Sequence, residues 1–176
     1  MNNLVAMLSG GDRRSTGRAD EAVDLVLGRP ELFSILVEGM GSGDPVLRMR
    51  CADAAEKVST ERPDLLLPFA RLLIDELSLS TQQEVRWHVA PMLVRLPLAE
   101  SDAGAVMEIL EGYTKDRSAI VRTEAMQAMA DLAEIHRLFL PGTVRRIEAL
   151  VKDGTPAMRA RGRKLLAKLS RFTEGG

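Results

Sequence analysis

One pattern of small and apolar residues occurs four times in this chain at nearly constant spacing, and no other feature constrains the fold as much. Each copy begins at an arginine that follows an apolar residue, and positions +3, +6, +7 and +10 after it are apolar or glycine. The copies are Cys51, Ala54, Ala55 and Val58 after Arg48; Val89, Met92, Leu93 and Leu96 after Arg86; Ala125, Ala128, Met129 and Leu132 after Arg122; and Gly162, Leu165, Leu166 and Leu169 after Arg159. This spacing places the four positions on one face of an α-helix.

A second marker precedes each copy and predicts a second helix in every unit. Pro30, Pro68 and Pro141 each lie 18 residues before their arginine, and Gly104 takes this place in the third unit. Proline is tolerated in a first helical turn, where its missing N–H has no helical partner. The apolar segments at these markers predict helices over 31–40, 64–78, 103–115 and 141–152, with Pro68 deep enough to bend its helix.

The two markers together predict an all-α chain of helix–turn–helix units. We expect one domain over residues 1–176, with repeats at 30–60, 61–98, 101–135 and 137–172. Residues 1–29 form a degenerate N-terminal cap in which Ala19, Ala22, Val23 and Val26 continue the pattern. Nine or ten helices are expected in all.

These units resemble HEAT repeats. The segment Leu67-Pro68-x-x-x-Leu72-Leu73 is similar to the first helix of that family, and Val121-Arg122-x-x-Ala125-x-x-Ala128-Met129 is similar to its second. The resemblance implies an armadillo-type fold, a right-handed α-α superhelix (an α-solenoid) of about five helical hairpins. The resemblance is specific for architecture and says almost nothing about function. We expect a noncatalytic scaffold that binds another protein.

The family also has a ladder between neighbouring repeats, made by an aspartate in the turn and an arginine six residues later. The resemblance assigns this structural role to Asp116 with Arg122 and to Asp153 with Arg159. Arg48 and Arg86 occupy the same position in their repeats, where Ser42 and Ser80 stand in place of the aspartate.

HEAT arrays bind partners on their concave side, and we expect the second helices to line it. Positions +1, +5 and +8 would then face a partner peptide or helix, with an apolar centre at Met49, Trp87, Pro91 and Val94 and with Asp53 and Gln127 beside it. Aromatic residues are frequent among binding hot spots. The alternative is that Trp87 packs against the edge of a neighbouring helix.

Charge is distributed unevenly along the chain. Residues 1–136 hold 14 basic and 22 acidic side chains, a balance of −8, whereas residues 137–176 hold 10 and 3, a balance of +7. The basic C-terminal helix therefore offers an alternative function, an anion or nucleic-acid site at Arg163, Lys164, Lys168 and Arg171, as in a DNA-repair-like HEAT protein. A solvated cap or head-to-tail contact between two copies would explain the same charges.

Catalytic and metal-binding patterns are not found in the sequence. His88 and His136 are 48 residues apart (136 − 88), and neither has metal-ligand spacing with Cys51, which lies at a core position. No enzymatic activity, cofactor or metal is therefore expected. One cysteine permits no internal disulfide, and no stretch of 18 uncharged apolar residues occurs, so we expect a cytoplasmic protein without a membrane span.

Overall fold

The computed structural model describes residues 3–11, 15 and 17–172, and in these residues the chain is helical without a strand. Four short 3₁₀ segments, Pro30–Leu32, Pro63–Phe69, Leu77–Leu79 and Arg137–Phe139, join the α-helices. The α-helices are α1 (Asn3–Leu8), α2 (Ala19–Gly28), α3 (Phe33–Gly39), α4 (Pro45–Glu61), α5 (Ala70–Asp75), α6 (Gln83–Val94), α7 (Glu100–Tyr113), α8 (Ala119–Ile135), α9 (Leu140–Asp153) and α10 (Pro156–Ser170). The all-α prediction is confirmed. None of the described helices has the length and hydropathy of a membrane span.

The chain divides into two compact units between Leu96 and Pro97. Unit 1 contains α1 to α6 and unit 2 contains α7 to α10. Residues 1, 2, 12–14 and 16 of the predicted N-terminal cap lie outside the described part of the chain. The repeat bounds and the single domain over 1–176 stay predictions.

Unit 1 is built around a row of second helices. Helix α4 packs against α2 and against α6, while α3 packs on α4 and α5 packs on α6. Helix α1 contacts α2, α3 and α4, and its Leu4 and Leu8 are fully buried. The rings of Phe33 and Phe69, 6.0 Å apart, join the first helices of consecutive hairpins.

The first helix of the second hairpin is interrupted, so the prediction of a single helix over 64–78 is wrong. A 3₁₀ segment, Pro63–Phe69, precedes α5, and a second one, Leu77–Leu79, follows it. Pro68 lies inside the first segment. Because proline has no amide hydrogen and its ring clashes with the preceding turn, an α-helix cannot continue undisturbed through Pro68.

The turns before α4 and α10 start these helices with side-chain caps. Asp44 accepts a hydrogen bond from the amide of Val46 at 2.9 Å, and Pro45 fills the first helical position. Thr155 and Pro156 play the same roles before α10, where the Thr155 hydroxyl accepts from the amide of Met158 at 3.3 Å.

Unit 2 has two hairpins, α7–α8 and α9–α10, and α8 packs on both α9 and α10. Its core contains Met126, Ala130, Ala133, Leu140, Ile147, Leu165 and Leu169. Gly162 of α10 lies against α9, where an added Cβ atom would be 2.4 Å from Cγ2 of Val151. The glycine therefore permits the close approach of these two helices.

Candidate functional site

The predicted partner-binding residues of unit 1 fall into two groups. Met49 and Asp53 of α4 are buried, each with 7% of its surface exposed. Trp87, Pro91 and Val94 of α6 are half-buried and lie at i, i+4 and i+7, on one side of the helix. We call these three residues the α6 strip. Helix α6 continues through Pro91 to Val94.

Two aromatic rings meet at the N-terminal end of the α6 strip. The Trp87 and His88 rings pack edge to face, with 5.8 Å between their centroids. His88 also faces α4, where its Nε2 lies 3.8 Å from a carboxylate oxygen of Asp53. Burial lowers the pKa of His88, and the carboxylates of Asp53 and Glu56 only partly offset that effect.

Beside the α6 strip, a chain of ion pairs connects α2 to α4. Nζ of Lys57 lies 2.9 Å from Asp53 and 2.7 Å from Asp20. Partial burial opposes the charged form of Lys57, but the hydrogen bonds to Asp20 and Asp53 outweigh it, so the pKa of Lys57 is raised. The buried carboxylate of Asp53 is therefore already engaged within the unit.

A second ion pair connects α4 to the C-terminal end of α6. Arg95 contacts the Glu56 carboxylate at 2.5 Å and donates to the Ser59 hydroxyl at 2.8 Å and the Glu56 carbonyl at 3.0 Å. Sequence reasoning did not identify this contact. The repeat register carries the signal for it, because Glu56 and Arg95 lie at positions +8 and +9 of consecutive copies (56 − 48 and 95 − 86).

In unit 2, the predicted partner-binding residue Gln127 is held by its neighbours. Its amide nitrogen donates to the Asp131 carboxylate at 3.0 Å, and its oxygen accepts from Arg161 of α10 at 3.1 Å. The bond from Arg161 joins α10 to α8.

The basic residues of α10 are not equivalent. Lys168 pairs with Glu134 at 2.5 Å and with Asp131 at 3.4 Å, and the hydrogen bond to Glu134 raises its pKa. Arg163, Lys164 and Arg171 are exposed and have no carboxylate partner among the residues that the structure describes. The predicted anion site thus has three available cations and one that α8 already neutralises.

The repeated arginines contact the turns of unit 1. Nη1 of Arg48 donates to the Ser42 carbonyl at 2.6 Å, and its Nε donates to the Gln82 side chain at 2.8 Å. Nη1 of Arg86 likewise donates to the Ser80 carbonyl at 2.9 Å. Arg48 and Arg86 thus each bind the backbone carbonyl of the residue six positions earlier, the position at which HEAT repeats have an aspartate.

The same contact is not made in unit 2. Within the described residues, no hydrogen bond joins the side chain of Arg122 or Arg159 to the carbonyl six residues earlier. A carboxylate oxygen of Asp116 accepts from the amide of Ser118 at 2.8 Å. The predicted ladder between neighbouring repeats stays a prediction.

Arg50 is a buried charge that sequence reasoning missed. Only 4% of its surface is exposed, and its guanidinium donates to the carbonyls of Leu8, Gly10 and Ser15 at 3.1, 2.6 and 3.1 Å. Gly17 has φ +59°, and a Cβ atom there would lie 2.8 Å from the guanidinium carbon. The glycines of this segment are a sequence signal for the close approach, but in the sequence they indicate simply turns.

Other reactive groups are buried or dispersed in the described part of the chain. Burial raises the pKa of the Cys51 thiol to about 12, so the thiol is protonated at neutral pH. No three His, Cys, Asp or Glu side chains among the residues described converge on a metal-sized site.

No model of a known protein family matches this chain, and no curated protein matches it.

Proposed function

We propose that this chain is a noncatalytic, HEAT-like α-solenoid scaffold that binds an apolar segment of another protein along its second helices. The observation that carries the proposal is the α6 strip, in which Trp87, Pro91 and Val94 are only half-buried and lie on one side of a helix. Large side chains that are already partly ordered lose little conformational freedom on binding, and tryptophan is enriched in binding hot spots.

The charges around the α6 strip suit an apolar occupant. Lys57 is paired with Asp53 and Asp20, and Arg95 is paired with Glu56. Because these groups already satisfy one another, a partner can cover the strip without stripping water from an isolated ion. The partner that fits is an amphipathic helix or extended peptide whose apolar side chains contact Trp87 and Val94.

A photo-crosslinking amino acid at position 94 tests the proposal in lysate of the source organism. We expect a protein adduct at position 94 that survives nuclease and is lost when Trp87→Ala is added. The matched control is the same amino acid at Leu79, an exposed apolar position (72%) in the 3₁₀ segment before α6.

The results distinguish specific docking at the α6 strip from nonspecific binding to any exposed apolar side chain. An adduct at position 94 alone supports the proposal, provided that circular dichroism shows Trp87→Ala to be folded. Equal adducts at positions 94 and 79, or an adduct unaffected by Trp87→Ala in a folded variant, would show that the α6 strip does not select the partner.

A further inference from the structure

Unit 2 contains a small depression lined by two arginines and one aspartate. Its volume is about 170 Å³, and its lining includes Arg122 of α8 together with Arg146 and Asp153 of α9. The apolar part of the wall is formed by Ala149, Leu150 and Met158. Both arginines are half-buried, and they belong to different helices that face the same space.

The two guanidinium groups in this depression have N–H donors without a hydrogen-bond partner in the described part of the chain. Nε of Arg122 is shielded from solvent and has no hydrogen-bond partner. Within the described residues, no hydrogen bond or ion pair is made by the side chains of Arg122, Arg146 or Asp153. The contrast with unit 1 is direct, since Arg48 and Arg86 both reach a carbonyl six residues earlier.

From this arrangement we infer that the depression binds a carboxylate carried on a short aliphatic stem. Two guanidinium groups and one carboxylate leave a single positive charge, which a monovalent carboxylate balances and a phosphate dianion would overshoot. The planar fork of arginine matches a carboxylate in a bidentate contact, and burial strengthens such a contact. The methyl and methylene groups of Ala149, Leu150 and Met158 suit the stem.

This site lies in unit 2 and does not depend on the α6 strip, so its test is independent of the proposed function. The full chain labelled with ¹⁵N would be titrated with propionate while the Nε–H signals of Arg122 and Arg146 are followed by NMR. A second titration uses an acetylated, amidated Ala-Glu-Ala peptide. Tighter binding of the peptide identifies a protein segment as the source of the carboxylate, whereas equal binding identifies a free small acid.

Three variants give the expected pattern its specificity. Arg146→Gln should abolish the saturable shift of the Arg122 signal, and Arg163→Gln, an exposed arginine on α10, should leave it unchanged. Asp153→Asn should tighten binding about threefold, since it removes one like charge roughly 6 Å from the ligand in a solvated site.

Two results would overturn the inference. One is methyl phosphate binding more tightly than propionate, because the site would then prefer a dianion. The other is a wild-type chain in which propionate causes no saturable shift, while the substitution Asp153→Asn by itself moves the Arg122 signal. Asp153 would then be the partner of Arg122 in solution.

Discussion

The close approach of α9 and α10 at Gly162 leads to a prediction in which two opposing effects can be weighed. Replacing a glycine in a helix interior by alanine stabilises the helix by about 1 kcal/mol. At Gly162, however, the new Cβ would lie 2.4 Å from Cγ2 of Val151 and 3.4 Å from Cγ2 of Ile147. Carbon atoms in contact prefer roughly 3.5–4.0 Å, so α10 or Val151 must move by about 1 Å.

Overpacking of this kind costs typically about 1–3 kcal/mol. We therefore expect Gly162→Ala to lower the free energy of unfolding by up to about 2 kcal/mol after the gain in helix propensity is subtracted. The matched control is Gly104→Ala in α7 of the same unit, where an added Cβ meets no atom within 4 Å. That variant should be about 0.5–1 kcal/mol more stable than the wild-type chain.

Equilibrium urea unfolding followed by far-ultraviolet circular dichroism measures both variants under one set of conditions. A double variant, Gly162→Ala with Val151→Ala, should recover part of the loss, because the methyl group in conflict is removed. If Gly162→Ala were as stable as Gly104→Ala, the helices would separate at no cost, and the inferred role of Gly162 in helix packing would be wrong.

Three further outcomes are expected. Arg50→Met should lower the free energy of unfolding by about 2–4 kcal/mol, because the carbonyls at residues 8, 10 and 15 lose a charged donor. The variant should also be cut more readily by protease near residue 10, and unchanged proteolysis would contradict the role of Arg50 in holding this segment. Because burial lowers the pKa of His88 in the folded chain, the unfolded chain binds a proton at this side chain more readily. The free energy of unfolding is therefore highest above about pH 6.5, the ordinary pKa of histidine, and falls as the pH drops below it. His88→Gln should flatten this dependence in urea midpoints measured from pH 7 to 5, and an unchanged slope would exclude His88 as its cause. On a double-stranded DNA column at about 0.15 M salt the chain should not be retained, whereas salt-sensitive retention lost in a triple variant (Arg163→Ala, Lys164→Ala, Arg171→Ala) would favour the polyanion function.

The buried stripes of the second helices were predictable because they depend on local spacing alone. Of the sixteen stripe positions, Leu166 is the one that remains half-buried. Turn chemistry was equally local, since the Asp44-Pro45 and Thr155-Pro156 pairs start α4 and α10. A helix that has one apolar face and a capping residue needs no information about distant contacts.

The α4 part of the predicted site depended on information that the spacing does not contain. Helix α4 has a second helix on each side, α2 and α6, so its buried arc is wider than one stripe and includes Met49 and Asp53. Helix α10 packs on α8 and α9, and its equivalent residues Ala160 and Lys164 are exposed. The neighbours of a second helix within its own unit decide whether positions +1 and +5 are accessible.

Arg50 shows a second limit of sequence reasoning. Its partners lie 35 to 42 residues earlier in the chain, in a segment whose composition gives only turns. Because these hydrogen bonds end on backbone carbonyls, which every residue carries, the residue types at positions 8, 10 and 15 do not predict them.

The division between Leu96 and Pro97 separates the two aromatic side chains that dominate the near-ultraviolet spectrum. The single tryptophan, Trp87, belongs to unit 1, and the single tyrosine, Tyr113, belongs to unit 2, where it is 6% exposed. Tryptophan emission therefore reports on unit 1, and tyrosine emission in a Trp87→Phe variant reports on unit 2. Coincident transitions would show that the two units unfold as one cooperative body, and separate transitions would give each unit its own stability without any added label.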